Sequence, residues 1–284
     1  MPDLDELLGV LALEPTGEGT WRGASLAFLG GSVVFGGQLL AQSILAGASA
    51  DPMKEVKSIH TVFARGASVD GPLEFKVDVM QRGRSFASSA VTVRQGGKTC
   101  TRSLVLLHAP DPDLIRHQPD APLVGLPDDA AASTHATDFW EVRTVGAVDI
   151  ADPDAVGPAE LDVWTRFPGA PDDPTVNQAL LAFATDGFLI GTAMRPHAGV
   201  GQAQAHRTVS TSVITHTLTF HEAVRAGDWM LLHHESPWAG RGRSYGRAHV
   251  YSMSGDLLAS YVQENMIRAF AEGTAPTPGS TSSH

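Results

Sequence analysis

An aspartate within a largely apolar segment is the first candidate for chemistry in this chain. Asp186 lies in residues 182–188, which we predict to be part of a helix running from about Val176 to Ile190. Burying a carboxylate is costly unless hydrogen bonds or a function compensate for it. Asp186 is therefore a candidate functional group. The alternative is a solvated or capping aspartate beside the glycine that follows it.

A second set of polar side chains lies near the C-terminus, on what alternation predicts to be the last strand. Tyr261, Gln263 and Asn265 share one face of that strand, because successive side chains of a strand point to opposite faces. A buried amide needs a hydrogen-bonding partner. The pattern indicates either a buried polar site or simple exposure of that face to solvent.

Two other motifs resemble known sites but lack the required context. Residues 242–246 read Gly-x-Ser-x-Gly, yet an alternating strand follows where the nucleophile elbow of serine hydrolases needs a helix. His233 and His234 would point to opposite faces of a strand, and no His-Glu-x-x-His spacing occurs. The single cysteine, Cys100, excludes an intrachain disulfide and is expected to be a buried thiol. We therefore expect no metal and no cofactor.

Composition and charge exclude several classes of partner. The 284 residues carry a formal net charge of −11, which argues against a surface for nucleic acid. The longest apolar runs are far shorter than the roughly 20 residues of a spanning helix. The N-terminus is acidic, where a secretory signal would be basic. These features predict a cytoplasmic protein without membrane insertion.

The elements that must position these residues occur twice in the chain. Arg82-Gly83-Arg84-Ser85-Phe86 recurs as Arg241-Gly242-Arg243-Ser244-Tyr245, and each copy precedes an alternating run, a turn and an apolar strand. A repeat of this length is a whole small domain.

Each copy combines a helix with an antiparallel sheet, the pattern of a hotdog unit. Apolar periodicity predicts helices over 4–11 and 38–48, a strand over 21–28, and three or four strands between Val56 and Leu107. Later strands are expected over 139–143, over 161–167 and from Val209 onward. We predict an α+β double hotdog with a first unit over 1–108, a linker over 109–136, a second unit over 137–270 and a disordered tail over 271–284.

A set of short motifs resembles the type II acyl-CoA thioesterases, which have a double-hotdog fold. The match covers about Gly19 to Arg268, in order, and rests on Phe35-Gly36-Gly37-Gln38, His60-Thr61-Val62-Phe63, the first Arg-Gly-Arg-Ser copy, Ala184-Thr185-Asp186, Pro196-His197, His216, Phe220-His221 and Val262-Gln263-Glu264. The resemblance implies hydrolysis of fatty acyl-CoA to free fatty acid and CoA, with catalysis in the second unit.

The resemblance also implies roles for individual residues. In that family an Asp, a Thr or Ser, and a Gln orient a water, and Asp186 and Gln263 match the Asp and the Gln. The hydroxyl position falls on Val213. Thr211 and Thr215, two residues to either side, are expected on the same strand face as Val213 and become the candidates to replace the hydroxyl. The substrate would bind around Phe35, Gly36, Gly37, Gln38 and His60.

The sequence leaves three functional alternatives. The first is an active thioesterase, and the second is a silent acyl-CoA-binding protein, which Val213 makes conceivable. An enoyl-CoA hydratase is the third, although such enzymes would be expected to carry an Asp and His pair near the helix start. Arg82, Arg84, Arg241 and Arg243 either meet CoA phosphates or are simply solvated. A homo-oligomer is conceivable, although two fused units already supply the pairing of single hotdogs.

Overall fold

Helices and one extended sheet make up the fold. The computed structural model describes residues 3–133 and 135–270. Within these ranges there are four α-helices: α1 Leu4–Leu11, α2 Gly36–Ala48, α3 Pro174–Thr185 and α4 Leu189–Met194. The strands of the first half are β1 Leu13–Gly17, β2 Thr20–Gly23, β3 Glu55–Phe63, β4 Leu73–Arg82, β5 Phe86–Gln95 and β6 Lys98–His108. Those of the second half are β7 Ala131–Ala132, β8 Glu141–Thr144, β9 Glu160–Arg166, β10 Val209–Phe220, β11 Met230–Gly240, β12 Arg243–Ser252 and β13 Leu257–Ala269.

The sheet joins the two halves of the chain edge to edge. The strand order is β1-β2-β4-β5-β6-β3-β10-β13-β12-β11-β9-β8-β7, with every neighbouring pair antiparallel. The junction is the pairing of β3 with β10. The predicted α+β architecture of helices combined with antiparallel strands is confirmed.

The duplicated Arg-Gly-Arg-Ser motif forms equivalent hairpin turns in the two halves. The first copy joins β4 to β5 and the second joins β11 to β12. In the second turn Arg241 and Gly242 have φ values of 53° and 74°, the left-handed conformation of a tight hairpin. Ser244 therefore lies in strand β12, with no nucleophile elbow around it.

The central helices differ from their predicted bounds at one functionally important point. The helix expected over 176–190 ends at Thr185, and a separate short helix, α4, begins at Leu189. Asp186 is the C-cap residue of α3, followed by Gly187, a residue with low helix propensity. The carboxylate consequently lies at a break between two helices and not within one continuous helix.

Two further segments also differ from expectation. The strand predicted over 21–28 is only Thr20–Gly23, and the chain then turns into a short 3-10 helix, Phe28–Gly30. The segment predicted as a linker, 109–136, contains the edge strand β7. Its residues Ala121 and Val124 pack on a patch formed by Trp164, Leu231 and Tyr251. This apolar patch on the sheet explains why the segment is held in place. The predicted disordered tail, 271–284, lies outside the described residues.

Candidate active site

Helix α2 begins without a capping side chain, unlike the other two long helices. Asp3 and Asp173 cap α1 and α3, each accepting a backbone N–H of the first turn. The N-cap residue of α2 is Phe35, which has no hydrogen-bonding side chain. The first N–H groups of a helix have no partner within the helix. The amides of Gly36 and Gly37 are thus available to a neighbouring group.

The neighbouring group is the carboxylate of Asp186. A Cβ placed on Gly36 would lie 2.5 Å from Asp186 Oδ2, and one on Gly37 would lie 2.3 Å from the backbone oxygen of Phe183. A side chain at Gly37 would force α2 and α3 apart, whereas one at Gly36 would displace the carboxylate of Asp186. The glycine pair brings the positive end of the α2 dipole onto Asp186.

The environment of Asp186 shifts its protonation equilibrium. Burial raises the pKa of Asp186 from 3.8 to about 7, and a hydrogen bond from the backbone N–H of Gly37 opposes the shift. A carboxylate with a pKa near neutrality can take a proton at physiological pH and later return it. Asp186 therefore has the properties of a general base.

Gln263 places an amide beside this carboxylate. It lies on the buried face of β13, with its Nε2 3.4 Å from Asp186 Oδ1 in a long hydrogen bond. Its Oε1 is buried and has no partner within the described ranges. The alternation predicted from the sequence holds, since Tyr261 and Asn265 are buried with Gln263 while Glu264 is exposed.

A chain of neutral side chains supports the same face of the sheet. The Thr185 hydroxyl donates to a backbone oxygen of α3, so His216 Nε2–H donates to Thr185 Oγ1, 3.1 Å away. The Tyr261 hydroxyl donates to His234 Nε2 at 2.6 Å, and its ring stacks on His216. Burial lowers the pKa of His216 to about 3 and that of His234 to about 4. Both imidazoles are neutral at physiological pH, which leaves Asp186 as the titrating group of the site.

Comparison with known protein families assigns both halves of the chain. The acyl-CoA thioesterase N-terminal domain matches residues 26–108, and the acyl-CoA thioesterase C-terminal domain matches residues 117–267. The chain belongs to the type II acyl-CoA thioesterase family. It is 30% identical to acyl-CoA thioesterase 2 of Haemophilus influenzae, over 93% of this chain and 98% of that protein.

Solved structures show the same fold for this thioesterase family member. Acyl-CoA thioesterase II TesB2 from Mycobacterium marinum superimposes with a TM-score of 0.79 at 27% identity, covering 93% of this chain and 99% of that one. A hot dog fold protein from Alicyclobacillus acidocaldarius gives a TM-score of 0.77 at 20% identity, covering 93% and 98%. The double-hotdog prediction is confirmed.

Three of the five residues predicted to bind the thioesterase substrate lie at the site. Phe35, Gly36 and Gly37 form the start of α2 beside Asp186. Gln38 is fully buried, and its amide bonds to the backbone of residues 24–26 and to Gln42, so it holds a loop in place. The structure therefore gives Gln38 a structural role.

His60 lies away from Asp186, on the other face of the sheet. It is exposed on β3 and bonds to Thr217 of β10, its cross-strand partner. The neighbouring pair, Thr61 and His216, is the one that points into the protein. The family-like motif places the strand correctly, but the structure does not bring the imidazole of His60 to the site.

A bulge in β10 decides where the candidate hydroxyls point. Val213 pairs with Asn265 and Thr215 pairs with Glu264, so Ile214 is the extra residue. The bulge reverses the alternation, and Thr215 shares its face with the exposed Glu264. The expectation that Thr215 shares the face of Val213 is wrong.

Thr211 keeps the inward face but lies further along the sheet. It is buried and pairs with Ile267, four residues beyond Gln263 on β13. At about 3.3 Å per residue, that is roughly 13 Å along the strand. The structure therefore brings neither Thr211 nor Thr215 next to the amide of Gln263.

The duplication does not extend to the site. Gly246 of β12 pairs with Gln263, and Ala87, at the same place in the first copy, pairs with Leu107. Leu107 is fully buried and apolar. The second unit alone therefore supplies the amide.

Residues 3–133 and 135–270 contain no group of three His, Cys, Asp or Glu side chains placed to hold a metal ion. No helix in these ranges is long and apolar enough to cross a membrane. His233 and His234 point to opposite faces, as expected, and bond to Asp162 and to Tyr261 respectively.

Proposed function

We propose that this protein hydrolyses fatty acyl-CoA thioesters to free fatty acid and CoA, with Asp186 as general base and Gln263 as its partner. The observation that carries the proposal is a carboxylate with a pKa of about 7, held at the uncapped start of α2 within reach of a buried amide. The family to which the chain belongs supports the same chemistry.

The reaction needs one water and no further reagent. Asp186 takes a proton from the water while the oxygen of the water attacks the thioester carbon. The tetrahedral intermediate then expels the CoA sulfur as a thiolate. The proton on Asp186 passes to the departing thiolate, which returns the carboxylate to its starting state. A base with a pKa near 7 suits both transfers.

Gln263 and the start of α2 act on different parts of the reaction. The amide of Gln263 orients the water relative to Asp186, which lowers the entropic part of the barrier. The thioester carbonyl lies near the start of α2, where the backbone N–H of Gly36 and the helix dipole stabilise the developing oxyanion, while the N–H of Gly37 donates to Asp186. Phe35 packs against Phe28 and Phe183 and fixes the helix start.

The CoA phosphates would be received by the basic hairpin of the second unit. Arg241 and Arg243 are exposed at the turn between β11 and β12. Arg243 lies three positions before Gly246, the cross-strand partner of Gln263, on the same strand. In the first copy Arg82 bonds to the backbone oxygen of Ala50. We expect Arg243→Gln to raise KM for acyl-CoA more than Arg84→Gln does, and to weaken the salt dependence of KM.

Release of free thiol from acyl-CoA substrates of different chain lengths tests the function. Wild type should release thiol, and Asp186→Asn should lower kcat by at least roughly 10²-fold, the usual effect of losing a positioned base. Asp172→Asn is the matched control, because Asp172 is an exposed aspartate in the loop before α3. A folded wild type that hydrolyses none of the chains would refute the proposal and indicate a protein that only binds acyl-CoA.

The division into units 1–108 and 137–270 stays a prediction, as does assembly into a homo-oligomer. Sedimentation of the purified protein would give its state of assembly. A change in that state alone would leave the roles of Asp186 and Gln263 unaffected.

A further inference from the structure

Three buried polar atoms around Gln263 have no hydrogen-bonding partner within the described chain. They are Gln263 Oε1, Asn265 Oδ1 and His216 Nδ1, and all three residues are at most 1% exposed. Buried polar atoms of folded proteins are normally paired with protein groups or with ordered water. Three such acceptors on two adjacent strands indicate a place built to receive donors from outside the chain.

Asn265 occupies the strand position opposite Val213. Val213 is its cross-strand partner on β10, and Ser244 is its partner on β12. The Asn265 Nδ2 donates to Ser244 Oγ at 3.3 Å, which orients the amide and leaves its oxygen free. Val213, whose side chain cannot bind water, is thus the direct cross-strand neighbour of Asn265, whose side chain can.

We propose that Asn265 supplies the third polar contact to the hydrolytic water, in the role that the hydroxyl of a Thr or Ser would have at Val213. This inference rests on the proposed function and adds a residue to the same site. Asn265 and Gln263 are two residues apart on one face, about 6.6 Å along the strand. One water with hydrogen bonds of about 2.8 Å can reach both amides.

The two hydrogens of the water explain why such a contact is needed. One hydrogen of the water points to Asp186, which removes it during attack. The second hydrogen needs an acceptor that keeps a lone pair of the water directed at the thioester carbon. Asn265 Oδ1 accepts that hydrogen, and the contacts of the water with Gln263 and Asp186 fix the rest of its orientation. Asn265 stays uncharged and takes no proton.

Steady-state kinetics of thiol release on Asn265 variants test this role. Asn265→Leu keeps the branched arrangement of heavy atoms and removes the acceptor, so kcat should fall roughly 10- to 100-fold while KM stays nearly constant. Thermal unfolding measured alongside should show no large loss of stability, because the variant also removes a buried unpaired oxygen. Glu264→Gln, on the exposed face of the same strand, is the matched control.

A rescue experiment separates a water contact from a packing role. Asn265→Ala should lose activity, and adding Val213→Thr to it should recover most of the lost kcat, because the hydroxyl returns to the opposite strand. Asn265→Asp provides a second readout, because it keeps the oxygen and adds a negative charge near Asp186. The apparent pKa of the pH–rate profile should rise in Asn265→Asp.

The outcomes also distinguish this inference from the proposed function. Absence of thiol release by wild type would refute the function itself. An active wild type and an inactive Asp186→Asn, together with full kcat in Asn265→Leu, would refute only the role of Asn265. A Thr211→Val or Thr215→Val variant that loses more kcat than Asn265→Leu would assign the contact to that hydroxyl and overturn the inference as well.

Discussion

Replacing Asp186 with asparagine should stabilise the protein, and by an amount that depends on pH. The pKa of Asp186 rises from 3.8 to about 7 on folding, chiefly through burial. Each unit of pKa corresponds to about 1.4 kcal/mol, so the ionised carboxylate destabilises the folded state by about 4 kcal/mol above pH 7. Asp186→Asn removes this penalty.

The sign follows from proton binding in the two states. Between the unfolded pKa of 3.8 and the folded pKa of about 7, the folded protein holds a proton on Asp186 that the unfolded chain has lost. Stability contributed by this group is therefore greatest at low pH and falls as pH rises through that window. The penalty is small at about pH 4 and complete above about pH 8.

Urea unfolding of wild type and Asp186→Asn at about pH 5 and about pH 8 measures the effect. The difference in unfolding free energy between the two proteins should grow by about 2 to 3 kcal/mol in favour of the variant from the lower to the higher pH. Other titrating groups cancel in this difference, and Asp172→Asn, which replaces an exposed aspartate, is the matched control. Equal differences at both pH values would refute the reasoning that burial governs the pKa of Asp186.

Three further predictions follow from the same contacts. The kcat/KM for thiol release should rise with pH and level off above an apparent pKa of about 7, because the proposed base is the carboxylate form of Asp186. A profile flat from about pH 5 to 9 would contradict this. Gly36→Ala places a Cβ 2.5 Å from Asp186 Oδ2 and should lower kcat with little loss of melting temperature. Gly37→Ala places a Cβ 2.3 Å from a backbone oxygen of α3 and should also cost about 1 to 3 kcal/mol of stability. Equal effects of the two variants on melting temperature would count against these contacts. Tyr261→Phe leaves His234 Nε2 buried without its donor and should cost about 1 to 3 kcal/mol in chemical unfolding, and a neutral result would mean that another donor replaces the hydroxyl.

The candidate site was predictable where a single element fixes the side-chain direction. Alternation along the last strand placed Tyr261, Gln263 and Asn265 on one face, and the structure shows that face buried. The apolar surroundings of Asp186 in the sequence pointed to a perturbed carboxylate. The bulge at Ile214 had no equivalent signal, because a one-residue irregularity depends on the partner strand. The candidate hydroxyls could therefore not be assigned from spacing.

The histidines show a second limit of prediction from sequence. Nothing in the local pattern distinguishes His216 and His234, which are buried and neutral, from His60, which is exposed. Their positions depend on which strands become neighbours, in particular β3 beside β10 and β11 beside β12. The network of Thr185, His216, Tyr261 and His234 was consequently missed.

The amino-acid sequence by itself determined the duplicated architecture, the two central helices and the identity of Asp186 and Gln263 as candidates. The architecture and the helices depend on the repeated motif, on periodicity and on local turn chemistry, which act over a few residues. Asp186 and Gln263 were singled out by the resemblance of their motifs to those of the thioesterase family. The tertiary structure alone decided that Asp186 meets the start of α2, that Gln263 faces it, and that Asn265 lies across from Val213. Such contacts join residues far apart in the chain, and burial at their meeting point raises the pKa of Asp186.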